Sequence, residues 1–294
     1  MPNVNRFEHF LGIDWSGAKG ERHKGIALAL ADRNGAPVLL ERAKGWSRED
    51  VLSFLQNDLP DDTLVGLDLG IGFPFADCGA YFPTVPSSPN IAKELWALVD
   101  EVCRGAPHLS VQPFVDHPTF APYFRNGSET GPHFRCDGAE HGRGRFRVTE
   151  HAQAAMGAKP YSNFNLVGAA QVGKSSLTGM RMLHRLDGRL PVWPVDPLPV
   201  AGSAVVEIYT SLAAIAAGRR AGAAKVRDYD VLNEALAVLG SDPVEGHGAI
   251  DDHSADALLT AAWLRQAADD PRLWRPTTLT PSIARTEGWT FGAL

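Results

Sequence analysis

Cysteine is scarce: three residues in 294, Cys78, Cys103 and Cys136, odd in number and far apart. That usage argues against a disulfide framework and favours a reducing, cytoplasmic setting. Long apolar runs are missing as well. The run from Ile26 to Ala31 has only six residues, against the roughly 18–20 that cross a bilayer, so no membrane partner is expected. The opening MPNVNRFEHF lacks the apolar stretch of a signal peptide. Positive charge is in deficit, with Lys+Arg 28 against Asp+Glu 34 for a net charge of −6. Attraction to polyanions cannot come from the whole molecule and would have to be local. Lysine is rarer still, 7 against 21 arginines, a bias that genomic base composition explains more readily than phosphate recognition.

What is present suits a globular chain: 44% hydrophobic residues, with Gly 29 and Pro 21 too aperiodic for a fibrous or low-complexity protein. LGIDWSG from Leu11, KGIALALAD at 24–32 and APVLLERA at 36–43 are separated by turn residues and predict an antiparallel three-stranded meander. Ser47-Arg48-Glu49-Asp50 is a capping-box pattern leading into Val51, Leu52 and Leu55 at helical spacing. TLVGLDLG at 63–70 reads as a strand buried on both faces beside a parallel partner. Helices are expected near 90–103 and 175–186, a strand at 204–209, then helices ending with one over 251–268. The expected fold is an α/β mixed sheet, its first three strands antiparallel and the rest parallel, with helices on both faces. Its core halves are 1–74 and 204–294, separated by a Pro- and Arg-rich insertion at 75–203.

Acidic residues near strand ends carry the chemical signal. Asp14 ends the first strand, Asp68 sits late in the fourth run, and Glu207 interrupts the fifth. Isolated buried carboxylates are costly, so a cation is expected among them. Oxygen donors suit Mg²⁺ or Mn²⁺. In the last helix Asp252 and Asp256 stand one turn apart, and His253 is a further ligand or base. Other readings stay open: Asp68 as a turn residue, Glu207 as a solvent-facing side chain, and Asp251 and Asp252 as ordinary helix-capping acids.

GIDWSGAK at 12–19, GLDLGIGFP at 66–74, AAQVGKSSLTGM at 169–180 followed by PVWPVD, VVEIYTSL at 205–212 and DDHSADALLTAAW at 251–263 together resemble domain-of-unknown-function family 429, predicted nucleases with a ribonuclease H-like fold. The last segment is also similar to the final helix of Holliday-junction resolvases. The resemblance implies that Asp14 bridges the metal, that Asp68 or Glu207 is the second ligand and that Asp256 is the third. The expectation is a nuclease that hydrolyses phosphodiesters with two Mg²⁺ or Mn²⁺ ions held by Asp14, Asp68, Glu207 and Asp256. Asp252 and His253 would assist, and Ser16, Lys19, Arg143 and Arg145 would contact a DNA or RNA substrate.

Four further patterns compete. Gly168 to Ser175 matches the phosphate loop G-x-x-x-x-G-K-[ST] literally but lacks a strand leading into it. Asp14-Trp-Ser-Gly and Asp68-Leu-Gly look like the paired loops of actin-like ATPases and sugar kinases, although no second copy of the unit follows. His133, Cys136 and His141, with Cys103 and His108, fit no tight zinc frame. Arg135, Arg143, Arg145 and Arg147, with Phe134 and Phe146 interleaved, suit a single strand, diluted by Asp137, Glu140 and Glu150. The alternatives to a nuclease are a non-catalytic binding protein of the same fold and an ATP-dependent phosphotransferase.

Overall fold

The computed structural model describes residues 6–137, 141–168, 171–220 and 223–294. In chain order the elements are β1 (His9–Asp14), β2 (Ala27–Asp32), β3 (Val38–Leu39), α1 (Arg48–Asn57), β4 (Thr63–Leu67), α2 (Ala92–Val102) and α3 (Gln112–Val115). There follow a short hairpin of β5 (Arg125–Asn126) and β6 (Glu129–Thr130), then α4 (Val148–Ala155), α5 (Val172–Arg185), β7 (Val192–Trp193) and β8 (Ala204–Glu207). The chain finishes with α6 (Thr210–Ala216), α7 (Tyr229–Val238), α8 (Asp252–Ala267) and α9 (Pro281–Thr286).

One sheet in the order β3-β2-β1-β4-β8-β7 organises the molecule. β1, β2 and β3 pair antiparallel, whereas β1, β4, β8 and β7 are parallel neighbours. Because successive strand side chains point to opposite faces, Leu11, Ile13, Val65, Leu67 and Val205 enter one core with Val51 of α1, Trp96 of α2 and Leu177 of α5. Phe10, Leu64, Ala204 and Val206 enter the other with Leu212 of α6, Leu236 of α7 and Leu258 of α8. Each such side chain contributes roughly 1.5–3 kcal/mol by leaving water, so helices cover both faces. At Gly12 a Cβ would lie 2.5 Å from the Ala257 carbonyl oxygen and 2.8 Å from the Ala261 nitrogen. Glycine there lets α8 lie directly on β1.

Local chemistry sets the boundaries. Ser47 Oγ accepts from the Asp50 amide at 3.0 Å and Asp50 accepts from the Ser47 amide at 3.0 Å, closing the capping box of α1. Asp251 caps α8 by accepting from the amides of His253 and Ser254. β3 is shorter than the expected run, because the chain turns polar and exposed at Glu41 and Arg42. α5 begins at Val172, earlier than the apolar spacing suggests. The segment read as an insertion is woven into the core: β7 forms the sheet edge, and α2 and α5 cover one face.

The expectation against disulfides is corrected for one pair: Cys78 and Cys136 are bonded to each other, while Cys103 is free and buried. The cause is tertiary. Arg145 anchors Asp77 at 2.7 Å, drawing the loop containing Cys78 onto the 133–147 segment. After α9 the chain returns to the sheet. Thr290 bridges Glu207, the Phe291 amide donates to the Glu207 carbonyl at 2.8 Å, and Trp289, Phe291 and Ala293 are buried. No helix among the described residues is long and apolar enough to cross a membrane.

Candidate functional site

The parallel register aligns Ile13 with Leu67 and Leu67 with Glu207, so three neighbouring strands deliver acids at their carboxyl ends. The Asp68 amide donates to the Ile13 carbonyl at 3.0 Å, which keeps Asp68 beside Asp14. A cleft of about 710 Å³ opens there, floored by the ends of β1, β4 and β8 and walled by the amino ends of α5, α6 and α8. This is the edge at which open α/β sheets take ligands. The loop after β1 is held down by Arg48, which donates to the Ser16 carbonyl at 2.9 Å. Gly17 allows that loop to touch α5, since a Cβ there would sit 2.4 Å from the Ser175 nitrogen.

Five side chains interact electrostatically here: Asp14, Asp68, Lys225 and His253 line the cleft, and Asp256 is joined to them through Lys225. Asp14 is buried, and its Oδ2 accepts from His253 Nδ1 at 2.7 Å. That bond, opposed by burial, raises the His253 pKa above its ordinary value and leaves Nε2 free of it. Asp68 accepts from Thr210, whose Oγ1 lies 3.3 Å away and whose backbone amide also donates to it. Burial first, then the neighbouring Asp14 and Asp256, push its pKa up to about 8 against the pull of Lys225. Asp256 is buried on α8 and bonded to Lys225 Nζ; burial raises its pKa despite that partner. The Lys225 pKa is raised, because Asp256, Asp68 and Asp14 together outweigh the desolvation that lowers it.

Other expected site residues lie elsewhere or are engaged. Glu207 does not join the three aspartates: it accepts from Arg147 Nη1 at 2.8 Å, from the Ile71 amide at 2.8 Å and from Thr290 Oγ1. Arg147 also binds Glu150 at 2.7 Å, forming a buried ionic network whose breakage would strand a charge. Arg145 is corrected from substrate contact to scaffold, buried and bonded to Asp77 and to the carbonyls of Pro74, Ala80 and Tyr81. Asp252 lines the cleft mouth beside Arg227 at 3.5 Å; its own amide, His253 and Arg227 hold its carboxyl below the usual range against the effect of burial. Ser16 lines the cleft, whereas Lys19 lines a neighbouring cavity of about 20 Å³ with Lys174 and Arg48. Arg143 is exposed and lies over the Tyr161 ring at 5.5 Å, and Tyr161 lines the cleft.

The glycine-rich match serves packing: a Cβ on Gly173 would be 2.4 Å from the Asn163 carbonyl oxygen. No regular strand over 161–167 leads into it. Ala169 and Ala170 of that match, and Glu140 of the arginine-rich loop, lie outside the described residues. Cys136 of the suggested zinc group is taken by its disulfide, and His141 stacks on Phe146 at 3.9 Å.

Lys225 and Thr210 are the participants that sequence reasoning missed, and Arg147, read there as a nucleic-acid contact, pairs instead with Glu207 and Glu150. Lys225 stands in an Ala-Ala-Lys-Val stretch with no periodic or motif signal, so only tertiary contact identifies it. The donor chemistry of Asp14, Asp68 and Asp256 fits a hard divalent cation. Their arrangement is not a finished cage: among the described residues no group of 3 or more His, Cys, Asp or Glu side chains is set to hold a metal. Asp14 is turned to His253, Asp68 to Thr210 and Asp256 to Lys225, and the Lys225 ammonium supplies the local positive charge. The chain matches no protein-family model, no curated protein and no solved structure.

Proposed function

We propose that this chain is a metal-dependent nuclease of ribonuclease H-like fold, hydrolysing phosphodiester bonds in the cleft at the ends of β1, β4 and β8. One observation carries the reading: Asp14, Asp68 and Asp256, from two parallel strands and the helix lying on them, act on one another and on one ammonium. Such a group is short of positive charge, and burial together with the neighbouring Asp14 and Asp256 pushes the Asp68 pKa up to about 8. Asp14, Asp68 and Asp256 would hold Mg²⁺ or Mn²⁺, which on binding supplies activation of water and stabilisation of the leaving oxygen. Asp14 orients His253, whose Nε2 is placed to take a proton from an attacking water or return one to a leaving group. The amino ends of α5 and α8 face the cleft, and their dipoles favour phosphate oxygens there. Tyr161 and Arg143 on the rim suit a stacked nucleobase.

The direct test is incubation of wild type and Asp14→Asn with single-stranded and branched DNA and RNA in Mn²⁺. The expected result is cleavage by wild type that EDTA abolishes and that the variant loses at least ~100-fold, ~2.7 kcal/mol of transition-state stabilisation. No cleavage by wild type, or equal cleavage by both, rejects the reading. A second reading, a binding protein of the same fold that does not cut, is favoured by the pairing of Asp14 with His253 and Asp256 with Lys225. It expects no saturable Mn²⁺ binding.

A further inference from the structure

We infer that the Lys225 ammonium is a resident cation: it takes the place of a divalent ion among Asp14, Asp68 and Asp256, and must swing out before that ion binds. The inference rests on the metal-dependent reading above and adds to it a gate built from the chain's own side chain.

Lys225 Nζ is hydrogen-bonded to Asp256 Oδ2, and its side chain lines the same cleft as Asp68 and Asp14, whose charges attract the ammonium. A cation arriving at these oxygens meets a like charge already bonded to one of them. Both cannot occupy the group, because like charges in so small a space repel strongly in a partly desolvated site. The ammonium brings one charge to the three acidic side chains, whereas a divalent ion brings two and has no side-chain stem to immobilise. The exchange therefore favours the metal only once its concentration offsets the loss of the Lys225–Asp256 bond.

The route out is a rotation of the side chain. Lys225 is 52% exposed along its side chain while the Asp256 side chain is 10% exposed, so a largely solvent-facing side chain reaches a buried acid. The backbone is anchored on both sides. The Ala224 carbonyl accepts from Arg219 at 2.6 Å, Val226 is buried in the core beneath α8, and Asp228 bridges Ala249 and caps α7. With the chain fixed, the four-carbon stem can carry the ammonium back to water while its loop stays in place. Without metal the same lysine neutralises part of the cluster.

The test is a calorimetric Mn²⁺ titration at one pH and low ionic strength on the full chain, for wild type, Lys225→Ala and Lys225→Arg, with melting of each in EDTA. Lys225→Ala is expected to bind Mn²⁺ at least tenfold more tightly than wild type, to melt lower in EDTA and to gain more from added Mn²⁺. Lys225→Arg keeps the charge and is expected to bind as weakly as wild type. If Lys225→Ala fails to fold, Lys225→Met, which retains the apolar stem, takes its place with the same expectation. Equal or weaker binding by the uncharged variant, with measurable binding by wild type, overturns the gate and leaves the metal reading standing. Binding by Lys225→Arg as tight as by Lys225→Ala overturns it too, since charge would then not be the cause. Absence of saturable binding in every protein rejects the metal reading itself, and the gate with it.

Discussion

Asp68 gives the cluster its pH dependence. Its pKa is pushed up to about 8 by burial and by Asp14, from an ordinary value of 3.8. The folded protein thus keeps a proton that the unfolded chain releases. Stability from this group is fully present below about pH 4 and is lost as pH rises through about 8. Asp68→Asn removes the ionisation at nearly constant shape. Without metal, the variant is expected to melt about 4–8 °C above wild type at pH 8.5, the shift that ~2 kcal/mol produces in a chain of this size, and no higher than wild type at pH 4. Scanning calorimetry across that range checks it; coincident melting at both ends would mean that Lys225 fully compensates an ionised Asp68. Single residues are also where the sequence is least complete. Asp14, Asp68 and Asp256 are legible, because an acid inside an apolar run demands a partner. Glu207 shows the same pattern, but its partner is Arg147, sixty positions away in the chain, and no local spacing distinguishes an arginine from a cation.

Among the elements, α8 decides whether the site exists. It brings Asp256 and His253 to Asp14 only because it rests on β1 at Gly12, where a Cβ would fall 2.5 Å from the Ala257 carbonyl oxygen. Gly12→Ala is expected to lower stability by about 2–4 kcal/mol in urea unfolding, the cost of forcing backbone apart in a packed core. The same variant should weaken Mn²⁺ binding more than ten-fold, because helix and strand separate where their acids converge. Elements with a strong pattern, such as the capped α1, the buried β4 and the long α8, are readable from sequence to within a few residues. β3 and β7 are not: each is two residues long, and each exists through pairing with a neighbour more than through its own composition.

For the molecule as a whole, the competing readings differ in which ligand stabilises the fold. A ligand that binds only the native state raises the melting temperature by mass action. Under the nuclease reading Mn²⁺ alone at 1–10 mM (of order 10–100 times an assumed dissociation constant) is expected to raise it by several degrees, whereas ATP without metal should leave it unchanged. The reverse pattern, measured by the same thermal scan, would favour the phosphotransferase. The mixed sheet with helices on both faces is visible in the order of apolar runs. The structural use of 75–203 is hidden, because that segment completes one sheet edge and one core face through contacts distant in sequence. The return of the tail to β8 has a further consequence. Glu207 is braced by Thr290, and α8 contributes its acids from positions beyond 250. During synthesis, therefore, β1 and β4 emerge long before the pocket they floor can close, because its wall waits for α8, far later in the chain.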